Sequence, residues 1–303
     1  MATKLLTNYL LPLTLLLRLA AALQPLCNGS PALCSRPYTN ITHIGTHNSA
    51  FAGLHPSDNQ NVDIVAQLNA GIRFLQAQVH WPRDEPSTDL HMCHASCTLR
   101  DAGTLTTYLH TIKLWLDAHP REVVTLLLVN GAGAPAAPFS AAFDRSGLQG
   151  YAFIPASNPL PLESWPTLGE MIETNTRLMA MLDHGADARV APFILDEFSY
   201  YSETPFSIVD PKDFLQCKID RPRGVDGRNR MMMMNHFLDF EVFGIRVPDR
   251  LAAPKTNAAM GKGSIGEQAE ICRDVHGRWP NCVLVDWFDE GDVFEAQRRM
   301  NGL

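Results

Sequence analysis

Two histidines stand where a chain can use them for proton transfer. His47 lies in Ile44-Gly45-Thr46-His47-Asn48-Ser49-Ala50, directly after a short apolar run and close to a glycine that permits tight approach. His94 lies in Leu90-His91-Met92-Cys93-His94-Ala95-Ser96-Cys97, between two cysteines whose bonding would close a small loop and hold the imidazole in place. Two imidazoles on one face suit phosphodiester cleavage. One takes the proton from an attacking hydroxyl and the other gives a proton to the leaving oxygen, each transfer being worth roughly 10²–10⁴-fold. A lone histidine is as readily a structural hydrogen-bonding residue, so the argument rests on the pair. There is no His-x-x-x-His spacing on a helix and no paired Cys-x-x-Cys set, which argues against a zinc centre.

These residues need a scaffold that gathers them. Continuous apolar runs at 41–45, 72–79, 123–129, 178–182, 193–198, 231–237 and 282–288 predict strands. Residues 62–70, 104–118, 164–173, 266–272 and 293–300 predict helices, the second with Leu105, Leu109, Ile112 and Leu116 at helical spacing. Strands without polar alternation are buried on both faces, which implies a largely parallel sheet and an α/β fold. The count suggests an irregular (β/α)₈ barrel, with residues 132–161, rich in Ala, Pro and Ser, left unassigned. Polar residues cluster at the predicted strand ends: His47, Asn48, Gln78, His80, Asn130, Asp183, His184, Asn235, His236 and Asp286. In a parallel barrel these ends open on one face, so they imply a shared pocket. Tyr200 and Tyr201 are candidates to stack on a substrate ring or to pack a loop. The Met231–Met234 run reads as a flexible core strand, and Arg73 as structural, since alternation turns it away from Gln76 and Gln78.

The chain has 303 residues and a formal net charge of −7. This disfavours nucleic acid as a partner and offers no polybasic route to anionic membranes. Lys4, the leucine-rich stretch 5–17 and Ala20, Ala21, Ala22 read as a cleaved signal peptide over residues 1–22, followed by a single domain over 23–303. The seven cysteines suit an oxidising, extracellular compartment. Cys27/Cys34 and Cys93/Cys97 are close pairs. Among the rest, Cys217–Cys272 with Cys282 free is preferred, and Cys272–Cys282 stays open. Asn28-Gly29-Ser30 and Asn40-Ile41-Thr42 are glycosylation sequons, and the C-terminal residues carry no apolar anchor signal. A monomer is expected.

The run Ile41-Thr42-His43-Ile44-Gly45-Thr46-His47-Asn48-Ser49-Ala50-Phe51 resembles the opening strand of the phosphatidylinositol-specific phospholipase C X-domain family. Gly71-Ile72-Arg73-Phe74-Leu75 resembles its second strand, and His94 falls where its second catalytic histidine would be. Leu26-Cys27-Asn28-Gly29-Ser30, Gln76-Ala77-Gln78-Val79-His80, Met181-Leu182-Asp183 and Val283-Leu284-Val285-Asp286 bring it nearest to secreted fungal-type members of the PLC-like phosphodiesterases. The resemblance implies a barrel of PLC-like phosphodiesterase type that acts as a phosphoric diester hydrolase on phosphoinositides or related diesters, in lipid metabolism. It makes His47 the base on an inositol hydroxyl and His94 the acid toward the diacylglycerol oxygen, with a cyclic phosphodiester as product. Asp286 would orient His47. The family's phosphate-stabilising arginine or calcium-binding acids are replaced by Gln76, Gln78 and Asn130. Substrate contacts are therefore expected from Asn48, Gln76, Gln78, Asn130 and Asp183, with a weak calcium site from Asn48, Gln78 and Asn130 as the one cofactor option. The implied partner is a phospholipid or small phosphodiester, with transient contact at a membrane surface. The alternative is an impaired barrel that binds a phosphorylated headgroup or sugar. A glycoside hydrolase would need a carboxylate pair, for which Asp183 and Asp286 are the strand-end candidates.

Overall fold

The apolar runs lack alternation because both faces of their strands are covered. In the computed structural model, which describes residues 25–82 and 88–303, Met231, Met233, Cys282 and Leu284 pack with Phe74, Leu127, Met179, Met181 and Tyr201 inside a curled sheet. Met232, Met234, Val283 and Val285 face the other way and pack with Leu105, Leu109, Ile112 and Leu116. The signal peptide expected over 1–22 lies outside the described residues.

Eight parallel strands make the sheet: β1 (His43–Thr46), β2 (Phe74–His80), β5 (Val124–Val129), β6 (Leu178–Leu182), β7 (Ile194–Asp196), β8 (Tyr201–Glu203), β9 (Met231–Asn235) and β12 (Cys282–Val285). Their order is β7-β6-β5-β2-β1-β12-β9-β8, so neighbours follow chain order and the last strand closes onto the first. No β7–β8 pairing occurs among the described residues, and the barrel is open at that seam. Two short antiparallel strands, β3 (His91–Cys93) and β4 (Asp101–Thr104), extend β2. A separate two-stranded ribbon, β10 (Asp239–Val242) and β11 (Ile245–Pro248), follows β9.

The connecting helices are α1 (Ile64–Ala70), α2 (Leu105–Ala118), α3 (Ala136–Ser146), α4 (Leu168–Glu173), α5 (Glu197–Tyr200), α6 (Ala253–Thr256), α7 (Ile265–His276) and α8 (Val293–Asn301). Asp63 caps α1 and Thr104 caps α2, each side chain accepting from the third backbone amide that follows. The unassigned stretch 132–161 contains α3, whose Phe139, Ala142 and Phe143 join the outer core. The helix predicted at 164–173 starts only at Leu168, behind Thr167 in a capping box with Glu170. Gly45 is required where β1 faces the barrel interior, since a Cβ there would lie 2.7 Å from Leu284.

Three disulfides, Cys27–Cys34, Cys93–Cys97 and Cys217–Cys272, leave Cys282 as a buried free thiol. Cys282 is inside the barrel, whereas Cys217 and Cys272 lie outside it against Met232 and Met234. Of the two sequons, Asn40 is exposed. Asn28 is a correction: its amide is spent on the backbone of Val123, donating at 3.1 Å and accepting at 2.7 Å.

His43, the first residue of β1, is buried against Tyr38, and its Nε2 has no hydrogen-bond partner. Burial, and secondarily the charge of Arg73, push its pKa down to about 3. The unfolded chain binds a proton there near the ordinary value of about 6.5. Stability from keeping His43 neutral is therefore complete above that pH and is lost as pH falls toward about 3, at most about 5 kcal/mol. The urea midpoint of a His43→Leu variant should fall less steeply between about pH 7 and about pH 4.5 than that of the unsubstituted protein. Equal slopes would contradict this account.

Candidate active site

β1 and β12 run parallel with Thr46 opposite Val285, so the first residues beyond the two strands are His47 and Asp286. The His47 amide donates to the Val285 carbonyl at 3.0 Å, which fixes where the imidazole leaves the sheet. His47 Nδ1 lies 2.8 Å from Asp286 Oδ1, and Asn59 Nδ2 donates to the other carboxylate oxygen at 2.9 Å. Phe237, two residues past β9, lies flat on the His47 ring at 3.9 Å and 2°. The ring is thus held at its edge and on one face, with 17% of the side chain open.

His94 is held as tightly by other means. The Cys93–Cys97 disulfide closes its loop, and its amide donates to the Arg100 carbonyl at 3.0 Å. Phe51 stacks on the ring at 5.1 Å, and Nδ1 meets the Ser57 carbonyl oxygen at 2.7 Å. A carbonyl only accepts, so Nδ1 carries the proton and Nε2 presents a lone pair. The same reasoning at Asp286 leaves His47 Nε2 as a lone pair. One amide nitrogen serves both: Asn48 Nδ2 donates to His47 Nε2 at 3.1 Å and to His94 Nε2 at 3.2 Å. Burial first, then the neighbouring His47, push the pKa of His94 below the usual imidazole range.

Asn48 is fully buried with φ of 51°, a left-handed conformation that Asn tolerates better than most residues. Gln76 Oε1 accepts from the Asn48 backbone amide at 2.8 Å. Gln78 Nε2 approaches Asn48 Oδ1 at 3.4 Å, and its own oxygen accepts from the Ala95 amide at 3.0 Å. A cavity of about 240 Å³ opens beside these groups, lined by His47, Gln76, Gln78, Asp183 and Asn235 among others. Asp183 also accepts from the Asn130 amide at 2.8 Å and pairs with His184.

Asn130 is a correction. It was expected to contact substrate and to bind calcium, but its side chain closes its own loop. Nδ2 donates to the Ala134 and His184 carbonyls, and Oδ1 accepts from the Ala134 amide. His236 likewise turns away, bonded to Gln268 and to the Thr256 carbonyl. Tyr201 sits inside the barrel against Tyr38, and Tyr200 packs edge-on against Trp165, so neither stacks on a ligand. With Asn130 withdrawn and Asn48 Oδ1 turned to Gln78, the residues expected to hold calcium do not offer it a converging set of oxygens. Among the described residues the one close set of potential metal-binding donors is Cys93, Cys97 and Asp101, whose two sulfurs form a disulfide.

Other residues of the cavity escape a reading of the sequence. β7 passes into β8 through α5, only four residues long, which brings Glu197 and Glu203 to the same wall. Glu203 accepts from Arg221 Nε at 3.1 Å and from Asn235 Nδ2 at 3.0 Å. Glu197 is buried with Oε1 unpartnered, and burial with the adjacent Glu203 carboxylate pushes its pKa well up. Arg221 is the one arginine among the residues lining the cavity, which include no lysine, and its guanidinium lies 4.3 Å from the Phe206 ring. Asp239, pushed up to about 6 by burial and then by Asp286, completes the acidic surroundings of His47. The carboxylates at 197 and 203 are visible in the sequence, and a strand placed at 201–203 would have aligned them.

Comparison with known proteins agrees with this architecture. A family model described as PI-PLC X 1 matches residues 33–301. A PI-PLC X domain-containing protein 1 of Arthroderma benhamiae is 49% identical, over 92% of this chain and 90% of that protein. An uncharacterized secreted protein of the same fungus is 40% identical over 91% of this chain, which spans 64% of its length. Among solved structures, the phosphatidylinositol-specific phospholipase C from Listeria monocytogenes superposes with a TM-score of 0.59 at 13% identity, covering 89% of this chain and 95% of that one.

The Arg221–Glu203 pair is directly testable. Arg221→Ala leaves a buried carboxylate without its cation and should cost about 2–3 kcal/mol in urea unfolding, with Glu203→Gln added in the double variant restoring at least half. A double variant as unstable as the single one would contradict the pairing.

Proposed function

Because the chain belongs to the PI-PLC X family, we propose that it is a phosphoric diester hydrolase that cleaves a phosphoinositide or a closely related diester. The observation that carries the reading is the pair of imidazole Nε2 atoms meeting one amide nitrogen, at 3.1 and 3.2 Å, beside a cavity lined by both polar and apolar side chains. A phosphodiester in place of the Asn48 contacts would have one imidazole toward the hydroxyl beside the phosphate and the other toward the leaving ester oxygen. His47 Nε2 takes the proton of the adjacent headgroup hydroxyl, whose oxygen attacks phosphorus, and Asp286 stabilises the imidazolium that forms. The bond from phosphorus to the glycerol oxygen breaks, and His94, entering the cycle protonated at Nε2, donates to that oxygen. The cyclic phosphodiester leaves with the electron and proton count balanced.

Negative charge on the non-bridging oxygens needs donors. Gln76, whose oxygen is held by the Asn48 amide, has its NH₂ group free for this role, and Arg221 supplies the cavity's positive charge. The calcium option loses support with Asn130, so the proposed chemistry is metal-independent. One observation favours the alternative of a non-catalytic headgroup binder: Glu203 already neutralises Arg221. Two acids and an arginine on the far wall suit the hydroxyls of a polyol headgroup in either reading. Three disulfides and the secreted relative support an extracellular location, with a monomer as the working form.

The test is turnover of water-soluble short-chain phosphatidylinositol in the presence of a chelator. The protein should be active, and His47→Ala and His94→Ala should each lose roughly 10²–10⁴-fold. No turnover by the unsubstituted protein, with headgroup binding retained, would establish the binder. The pH profile follows from His94. Because its folded pKa lies below the usual range, the acid form is lost on the acidic side of about pH 6.5, and the alkaline limb of kcat/KM should fall there. An alkaline limb above about pH 8 would contradict His94 as the acid.

A further inference from the structure

His94 is given its place by two carbonyls and an aromatic ring, and none of the three belongs to a barrel strand. His94 opens the connection from β3 to β4, and Arg100 closes it. The His94 amide donates to the Arg100 carbonyl at 3.0 Å, and Nδ1 donates to the carbonyl of Ser57, in the connection after β1, at 2.7 Å. Phe51, from the same connection as Ser57, covers the ring. The acid of the proposed reaction thus stands between two loops, and its aim depends on their staying together.

One ion pair ties the loops. Asp58, the residue after Ser57, is 3% exposed and sets Oδ1 2.8 Å from Arg100 Nε. Its Oδ2 accepts from the His55 amide at 3.0 Å, and its own amide donates to the His55 carbonyl at 2.8 Å. The carboxylate therefore also closes the turn that presents the Ser57 carbonyl. Arg100 Nη2 reaches on to the Ala52 carbonyl at 3.3 Å. A closed circuit results, from the His94 ring to Ser57, along the chain to Asp58, across to Arg100 and back to the His94 amide. A buried ion pair contributes little net stability, because desolvation offsets much of its attraction. This one fixes both attachment points of a single imidazole. We propose that Asp58 and Arg100 are positioning residues for His94, a clasp between two loops that holds the acid's Nε2 toward the leaving oxygen. The purpose of the clasp rests on the hydrolase reading.

The clasp acts on charge as well as on aim. The titratable and charged groups around His94 are His47 and Asp286 from the ends of β1 and β12, His55 and Asp58 from the connection after β1, and Arg100 from its own loop. Burial, then His47, lower the pKa of His94, while the Ser57 carbonyl, Asp286 and Asp58 oppose the shift. Asp58→Asn keeps the shape, removes one opposing charge and leaves the Arg100 cation unpaired. Both changes disfavour the imidazolium, so the acid form of His94 should be lost at lower pH.

The leaving group supplies the test, since a general acid matters most where the departing oxygen leaves poorly. Short-chain phosphatidylinositol expels a glycerol alkoxide, whereas the 4-nitrophenyl diester of inositol phosphate expels a phenolate that needs little protonation. In D58N and R100A, kcat should fall at least ~10-fold on the first substrate and less than ~3-fold on the second, with R100K between R100A and the unsubstituted protein on the first. His94→Ala should show the same split more strongly. The ratio of the two rates does not depend on how much of a variant is folded, so partial unfolding does not mimic it. Equal losses on both substrates, or no loss on either, would overturn the clasp. If the unsubstituted protein cleaves neither diester, the hydrolase reading fails and the clasp is read from the His94 ring resonances, assigned by their absence in His94→Gln. That imidazole should titrate at lower pH in D58N, and a midpoint that does not move would overturn the clasp as well.

Discussion

The site depends on one pairing, that of β1 with β12. The first and last strands of the barrel are far apart in sequence, and their register, Thr46 opposite Val285, sets His47 beside Asp286 one step beyond the ladder. Gln60 strengthens the junction by donating to the carbonyls of both His47 and Val285. A shift of one residue would turn Asp286 to the opposite face of the sheet. The second consequence is Asn48. Its left-handed backbone turns the chain sharply after His47, so that its amide points back between the two imidazoles. Everything else around the site fixes distances from this starting point: Phe237 and Phe51 cover ring faces, and the Cys93–Cys97 loop brings His94 in from the other side.

The electrostatics of the cavity differ from those of a simple anion site. A single arginine is opposed by Glu203, and burial together with the carboxylate of its neighbour pushes the pKa of Glu197 well up. Such a wall both donates and accepts hydrogen bonds while carrying little net charge. A phosphate seated near the histidines would draw on amide dipoles and on Arg221 across the cavity, without dedicated cations at closer range. That arrangement predicts modest catalysis and selectivity weighted toward the hydroxyl pattern of the headgroup.

Much of this was legible in the sequence because parallel strands buried on both faces leave uninterrupted apolar runs. The residues ending those runs are the ones the barrel gathers, and His47, Gln78, Asp183 and Asn235 do line one cavity. The signal failed where local length broke the pattern. β7 crosses to β8 through a helix of four residues, too short for helical periodicity, and this hid Glu197 and Glu203. The ribbon after β9 alternates too briefly to register and carries its apolar residues outward. Asn130 was misread because a strand-end amide serves equally well to tie a loop, and only its three hydrogen bonds to Ala134 and His184 distinguish the two uses. Of the two readings left open for Tyr201, packing holds, in the strand it begins at the open seam of the barrel rather than in a loop.

The central claim is that one histidine acts on the attacking headgroup hydroxyl and the other on the leaving ester oxygen of one phosphate. The measurement that tests it most directly is phosphorus NMR of phosphatidylinositol incubated with the protein in chelator. The account predicts that the first new resonance is that of a five-membered cyclic phosphodiester, with any open-chain phosphomonoester appearing later. A phosphomonoester formed first, with no cyclic species at early times, would mean that water attacks phosphorus and would contradict the account.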